Sequence, residues 1–174
     1  MCGARIELKT VHRVIDIFDK EHASRCDIDR NHIMVGELQI LSCKKEDIAP
    51  GAISMGDINA SGNTIKGSII EIKEEINPSF ITVHLQINDE DGDSVMEQNI
   101  DFCNMNSADM FKPYFESFSE PQFNKGNCPI NPGTYNSDDF QIQADGGEGI
   151  FTVILEALEG SNLFLRVTCE AKLE

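Results

Sequence analysis

Residues 80–88 read FITVHLQIN. Ile81, Val83, Leu85 and Ile87 fall on one face of an extended chain, and Thr82, His84, Gln86 and Asn88 on the other. Such alternation is what a strand with one buried and one solvated face requires. DEDGD at 89–93 follows, with Asp91-Gly92 as turn chemistry, and SVMEQNIDFC at 94–103 returns as the partner strand.

Upstream, TIKGSIIEIKEEI (64–76) is rich in β-branched residues and reads as a strand. Asn77-Pro78-Ser79 ends it as a turn, because proline fixes φ and lacks a donor. HIMVGELQILSC (32–43) reads as a strand interrupted by Gly36. KKEDIAPGAISMGDINASGN (44–63) reads as loop with at most one short strand. RIELKTVHRVIDIFDKEHASRC (5–26) is ambiguous: it can begin as a strand, yet Val11, Val14, Ile15 and Phe18 recur at helical spacing.

Downstream come FQIQ (140–143), GIFTVILEALE (149–159) and LFLRVTCEAKL (163–173), the last two joined by Gly160-Ser161-Asn162. Phe151, Val153 and Leu155 share one face of the first long strand; Leu163, Leu165, Val167 and Cys169 share one face of the second. Many short strands between turn clusters predict an all-β fold, an antiparallel two-sheet sandwich with one short helix. The chain reads as a single domain over 1–174, with 1–42 an N-terminal extension whose pairing stays open.

The helix is expected in NMNSADMFKPYFESFSEPQFNKGN (104–127), with Ser107 as N-cap and Pro113 in the first turn. Met110, Phe111, Tyr114, Phe115, Phe118 and Phe123 crowd this stretch. It reads either as plain core or as an aromatic flap over an apolar cavity.

Charge narrows the function. The 174 residues hold 14 Lys+Arg against 30 Asp+Glu, a formal charge of −16. Such a surface repels nucleic acid and anionic bilayers at neutral pH. With a sequence pI near 4.5, that repulsion fades in an acidic compartment, where a membrane surface becomes approachable. A protein partner is compatible with this surface as well. No apolar run approaches the ~18 residues of a spanning helix. Met1-Cys2-Gly3 shows no basic region followed by an apolar one, so a secreted protein would be in its mature form.

The six cysteines, Cys2, Cys26, Cys43, Cys103, Cys128 and Cys169, are scattered without a C-x-x-C pair. That spacing points to disulfides and an oxidising compartment rather than zinc. Six cysteines allow many connectivities. The sequon Asn59-Ala60-Ser61 fits a secretory route, with Asn59 as glycan acceptor.

Nothing points to catalysis, a cofactor or a metal. His12, His22, His32 and His84 sit in no nucleophile motif, and no phosphate-cradling glycine loop occurs. His84, on the polar face of its strand, reads as solvated. NDEDGD (88–93) invites calcium, but Ile87 stands where an EF-hand loop needs an oxygen ligand, so a hairpin tip is the better reading.

An apolar interior remains. Aliphatic strands, no tryptophan and an aromatic segment between two cysteines suggest sheets splayed around a ligand cavity. The expected lining is Ile81, Val83, Leu85, Phe102, Phe111, Phe115, Phe118, Phe123, Phe140, Phe151, Val153, Leu155 and Leu165.

DFC (101–103), the aromatic segment after it, NCPINPGTY (127–135), GIFTVILEAL (149–158) and LRVTCEAKL (165–173) together resemble the ganglioside-activator branch of the ML-type lipid-recognition family. They are also similar to related insect chemosensory proteins. The resemblance implies an immunoglobulin-like β-cup with a lipid cavity, in a secreted or lysosomal protein that carries lipid without catalysis. It also implies disulfides Cys43–Cys169 and Cys103–Cys128, which leaves Cys2–Cys26. Burying an acyl chain of ~16 methylenes gains roughly 13 kcal/mol gross, much of it offset by association and ordering costs.

Two readings follow. One is a secreted carrier of a lipid or other hydrophobic ligand. The other is an extracellular interaction protein of receptor-binding, salivary or venom type, with a filled core and an acidic working surface.

Overall fold

A computed structural model describes residues 38–107, 111–124, 127–142 and 148–174. The ambiguous 5–26 stretch, the Gly36 interruption and the Cys2–Cys26 pairing lie outside the described residues.

Residues 38–101 contribute seven strands: β1 Leu38–Asp47, β2 Ile53–Met55, β3 Ala60–Ser61, β4 Thr64–Ile65, β5 Ile69–Ile72, β6 Ile81–Asn88 and β7 Ser94–Asp101. A 3-10 turn at Phe102–Ser107 and two short helices follow, α1 Lys112–Glu116 and α2 Pro121–Asn124. Four strands close the chain: β8 Gly133–Asn136, β9 Phe140–Gln141, β10 Gly149–Glu159 and β11 Asn162–Leu173. The fold is mostly β. The main sheet has the order β1-β11-β10-β6-β7, and two smaller sheets run β2-β5-β8 and β3-β4-β9. Every pairing is antiparallel.

The β6–β7 hairpin forms as its sequence requires. Ile81, Val83, Leu85 and Ile87 are buried and the residues between them only half-buried. At its tip the Asp89 carboxylate accepts from the backbone N–H of Asp91 (3.1 Å) and of Asp93 (2.9 Å). Gly92 takes φ +86°, a left-handed conformation that a side chain resists. The NDEDGD acids therefore build a turn.

Asp101, the first residue of DFC, ties two elements together. One carboxylate oxygen accepts from Ser79 N–H (2.8 Å) in the turn before β6, and the other from Cys103 N–H (2.9 Å) at the 3-10 turn. At the far end of the aromatic segment, Ile130 and Ile76 exchange backbone hydrogen bonds of 2.9 and 3.0 Å. Tyr135 donates its hydroxyl to the Asn131 carbonyl (2.8 Å), and Gln122 donates to the Pro129 carbonyl. The CPINPGTY corner is thus fastened on both sides. Cys103–Cys128 and Cys43–Cys169 are disulfides, with Cα atoms 5.7 and 4.1 Å apart.

Four local expectations change. The 44–63 stretch holds the end of β1 and two short strands, β2 and β3, rather than at most one. The 64–76 stretch is two strands, because at Gly67 the Ser137 carbonyl comes so close that a Cβ would overlap it. The single expected helix is a 3-10 turn and two short helices. The N-cap of α1 is Phe111, with no side-chain cap bond, and not Ser107, which ends the 3-10 turn; proline does sit in the first helical turn.

Candidate functional site

The inward face of the main sheet is apolar along every inner strand. β6 supplies Val83, Leu85 and Ile87; β10 supplies Phe151, Val153, Leu155 and Ala157; β11 supplies Leu165, Val167, Cys169, Ala171 and Leu173. Strand alternation puts each set on one side. In solid packing, the apolar residues of a central strand lose nearly all accessible surface. Here Phe151, Val153, Leu155 and Ala157 all remain half-buried, although β10 is paired on both edges. Space stands over them.

That space is a cavity of about 270 Å³. Its other walls come from Ile53 and Met55 of β2, Ile65 of β4 and Ile70 of β5. Phe140 and Ile142 close one side, and Phe102, Met105, Phe111 and Tyr114 of the aromatic segment close another. Among the described residues, no lining side chain is charged. Apart from Ser68, Tyr114 and Cys169, every described lining side chain is hydrocarbon or thioether.

Of the expected lining residues, Val83, Leu85, Phe102, Phe111, Phe140, Phe151, Val153, Leu155 and Leu165 are brought together on this wall. Ile81, Phe115, Phe118 and Phe123 are not. Each is at most 1% exposed and sits in solid core. Phe123 lies 4.1 Å from Phe118, 5.8 Å from Phe115 and 5.0 Å from Tyr135 by ring centroid. The aromatic segment is therefore divided: Phe115, Phe118 and Phe123 plug the core, while Phe111 and Tyr114 border the cavity. Helix α1, with five residues, is too short for its periodicity to reveal that division in advance.

Sequence reading left out of the lining, among others, Leu38 and Ile40 on β1, the short-strand residues Ile53, Met55, Ile65 and Ile70, Ile87 on β6, Ala157 on β10, Tyr114 on α1 and every β11 residue except Leu165. The β-branched run at 69–72 was the available signal. The two-residue strands carry no period long enough to read.

The opposite face of the main sheet carries charge. His84 Nδ1 lies 3.4 Å from Glu156 and its Nε2 3.1 Å from Glu97. Arg166 binds Glu156 at 2.6 Å and approaches Glu46 at 3.9 Å. Glu46, Arg166, Glu156, His84 and Glu97 thus cross β1, β11, β10, β6 and β7 in the order of the sheet. His84, expected to be solvated, is instead held between two carboxylates. The hydrogen bond to Glu156 raises its pKa above the ordinary value, against partial burial and with help from Glu97. Burial works against the Glu156 carboxylate, but Arg166 and His84 hold its pKa below the usual range.

Asn59 is exposed, as a glycan acceptor must be. Among the described residues, no group of three or more His, Cys, Asp or Glu is placed to hold a metal, and no helix is long and apolar enough to cross a membrane. No protein-family model matches the chain, and no curated protein matches it.

Proposed function

We propose that this chain is a non-enzymatic binding and transfer protein for a lipid or other hydrophobic small molecule. In this reading it acts as a β-cup of the ganglioside-activator type, secreted or lysosomal, with the ligand between the main sheet and the smaller ones. One observation carries the proposal: among the described residues, the wall of the cavity beneath the main sheet has no charged side chain, in a chain of net charge −16. Sites for small hydrophobic ligands are concave and apolar with a few polar groups. At about 270 Å³ the cavity falls just below the usual ~300–1,000 Å³. A single acyl chain or a compact ring system suits it better than a two-chain lipid.

Further support comes from the two disulfides, which are those the family resemblance implies. Disulfides persist in oxidising compartments. The cavity favours the carrier over an interaction protein with a filled core.

Titration with the hydrophobic fluorophore N-phenylnaphthylamine tests the proposal. A saturable fluorescence rise, reversed by single-chain lipids and lost in a cavity-filling variant, is the expected result. A signal that never saturates, or that survives cavity filling unchanged, would defeat it.

A further inference from the structure

Among the described residues, the cavity wall contains one phenol. Tyr114 borders the cavity, and its ring is wedged edge-on against Phe115, Phe118 and Phe140, with centroids 5.4, 5.2 and 5.5 Å away. Three rings fix where its hydroxyl can go. That hydroxyl has no hydrogen-bond partner among the described residues. The second tyrosine behaves differently, since Tyr135 donates to the Asn131 carbonyl. Buried polar groups in folded proteins are almost always paired, and an exception calls for a physical cause.

Tyr114 is half-buried by surface area although it lies deep in the molecule; the surface it keeps is cavity wall. Burial pushes its pKa above the ordinary tyrosine value, so the phenol stays protonated and available as a donor throughout the physiological range. The other hydroxyl among the described wall residues is Ser68, whose backbone is held by Ser137 at 2.9 Å in both directions. Ser137 in turn bridges to Phe118, a neighbour of Tyr114.

We infer that Tyr114 is a ligand-specifying residue: its hydroxyl donates to a neutral oxygen acceptor, a carbonyl, ester or hydroxyl oxygen, on an otherwise hydrocarbon ligand inside the cavity. This rests on the carrier reading above and refines it. The acceptor is neutral because the described residues of the wall offer no cation, and a carboxylate buried against them would be uncompensated. The preferred ligand class is a single-chain ketone, ester or alcohol, with its oxygen held within the cavity.

The test is a pair of probes of equal chain length, tridecanone and tridecane, displacing N-phenylnaphthylamine from wild type and from Tyr114→Phe. Removing one such hydrogen bond changes affinity by roughly tenfold. The variant should lose roughly that factor for tridecanone and keep its affinity for tridecane. Its melting temperature without ligand should match or exceed that of wild type, since no bond within the protein is removed. Equal losses for both probes, no loss for either, or a clear fall in melting temperature would overturn the inference while leaving the carrier reading intact. A wild-type protein that binds neither probe would overturn both.

Discussion

Glu156 on β10 faces His84 on β6, with Oε2 3.4 Å from Nδ1, on the side of the sheet away from the cavity. Its strand neighbours Leu155 and Ala157 point the other way and line the cavity. One strand therefore carries the charge ladder on one face and the cavity wall on the other.

That ladder makes stability depend on pH. His84 has a folded pKa raised above 6.5, so its contribution is complete below 6.5 and lost as pH rises through the folded value. Glu156 has a folded pKa below 4.5, so its contribution is present above 4.5 and lost as pH falls through the folded value. Both act between those limits. Thermal melts of wild type and His84→Gln should differ most near pH 5.5 and converge once pH has risen past the raised His84 value. A difference that is constant with pH would refute this account of His84.

Phe115 and Phe111 should separate stability from binding. Phe115 is fully buried among Phe102, Tyr114 and Phe123, so Phe115→Ala should cost about 3–5 kcal/mol and lower the melting temperature by about 10 °C. Phe111 already borders open space, so Phe111→Ala should cost less and act mainly on fluorophore affinity. Calorimetry and titration on both variants decide the matter, and similar effects on stability would contradict the division of the segment.

Filling the cavity should abolish uptake without unfolding the protein. Ala157 lies on β10 opposite Val83 and Leu165, all three in the wall. Ala157→Phe adds a ring where space exists, which avoids the usual cost of overpacking. Fluorophore affinity should fall at least about tenfold, with the melting temperature held or raised. Unchanged affinity would mean that the probe binds elsewhere.

The disulfides should differ in weight. In the chain-entropy treatment, a 25-residue closure contributes about 3–4 kcal/mol and a 126-residue closure about 5. Denaturant titration of Cys103→Ala/Cys128→Ala and Cys43→Ala/Cys169→Ala should rank the second pair as more damaging. The reverse ranking would mean that residual structure in the unfolded chain or native packing dominates.

Legibility in the sequence followed element length. β6 and β10 have eight and eleven residues of clear pattern, and their inward faces were readable, although Ile81 packs in solid core while Ile87 and Ala157 join the cavity wall. β3, β4 and β9 have two residues each and are held by pairings distant in sequence, such as Ile65 with Phe140. β1 hides its inward set behind a register shift between Ile40 and Ser42 that leaves Leu41 exposed. The aromatic segment could be recognised as important but not divided, because which ring meets the cavity is decided by packing against Phe102, Phe140 and Tyr135 rather than by spacing along α1.

Transfer to membranes should depend on pH through the acidic surface. A net charge of −16 opposes anionic bilayers at neutral pH and fades toward the pI near 4.5. Transfer of a bound fluorescent lipid to anionic vesicles should accelerate from pH 7 to 4.5, and added salt should narrow the gap. A rate that does not change with pH would remove surface charge as the controlling factor.

Native mass spectrometry of protein purified from a eukaryotic secretory host asks whether the cavity holds a ligand. Wild type should carry a co-purifying hydrophobic molecule of single-chain size that is released on denaturation, and Ala157→Phe should emerge without it. Wild-type protein found at its bare polypeptide mass, and inert to N-phenylnaphthylamine, would contradict the carrier reading.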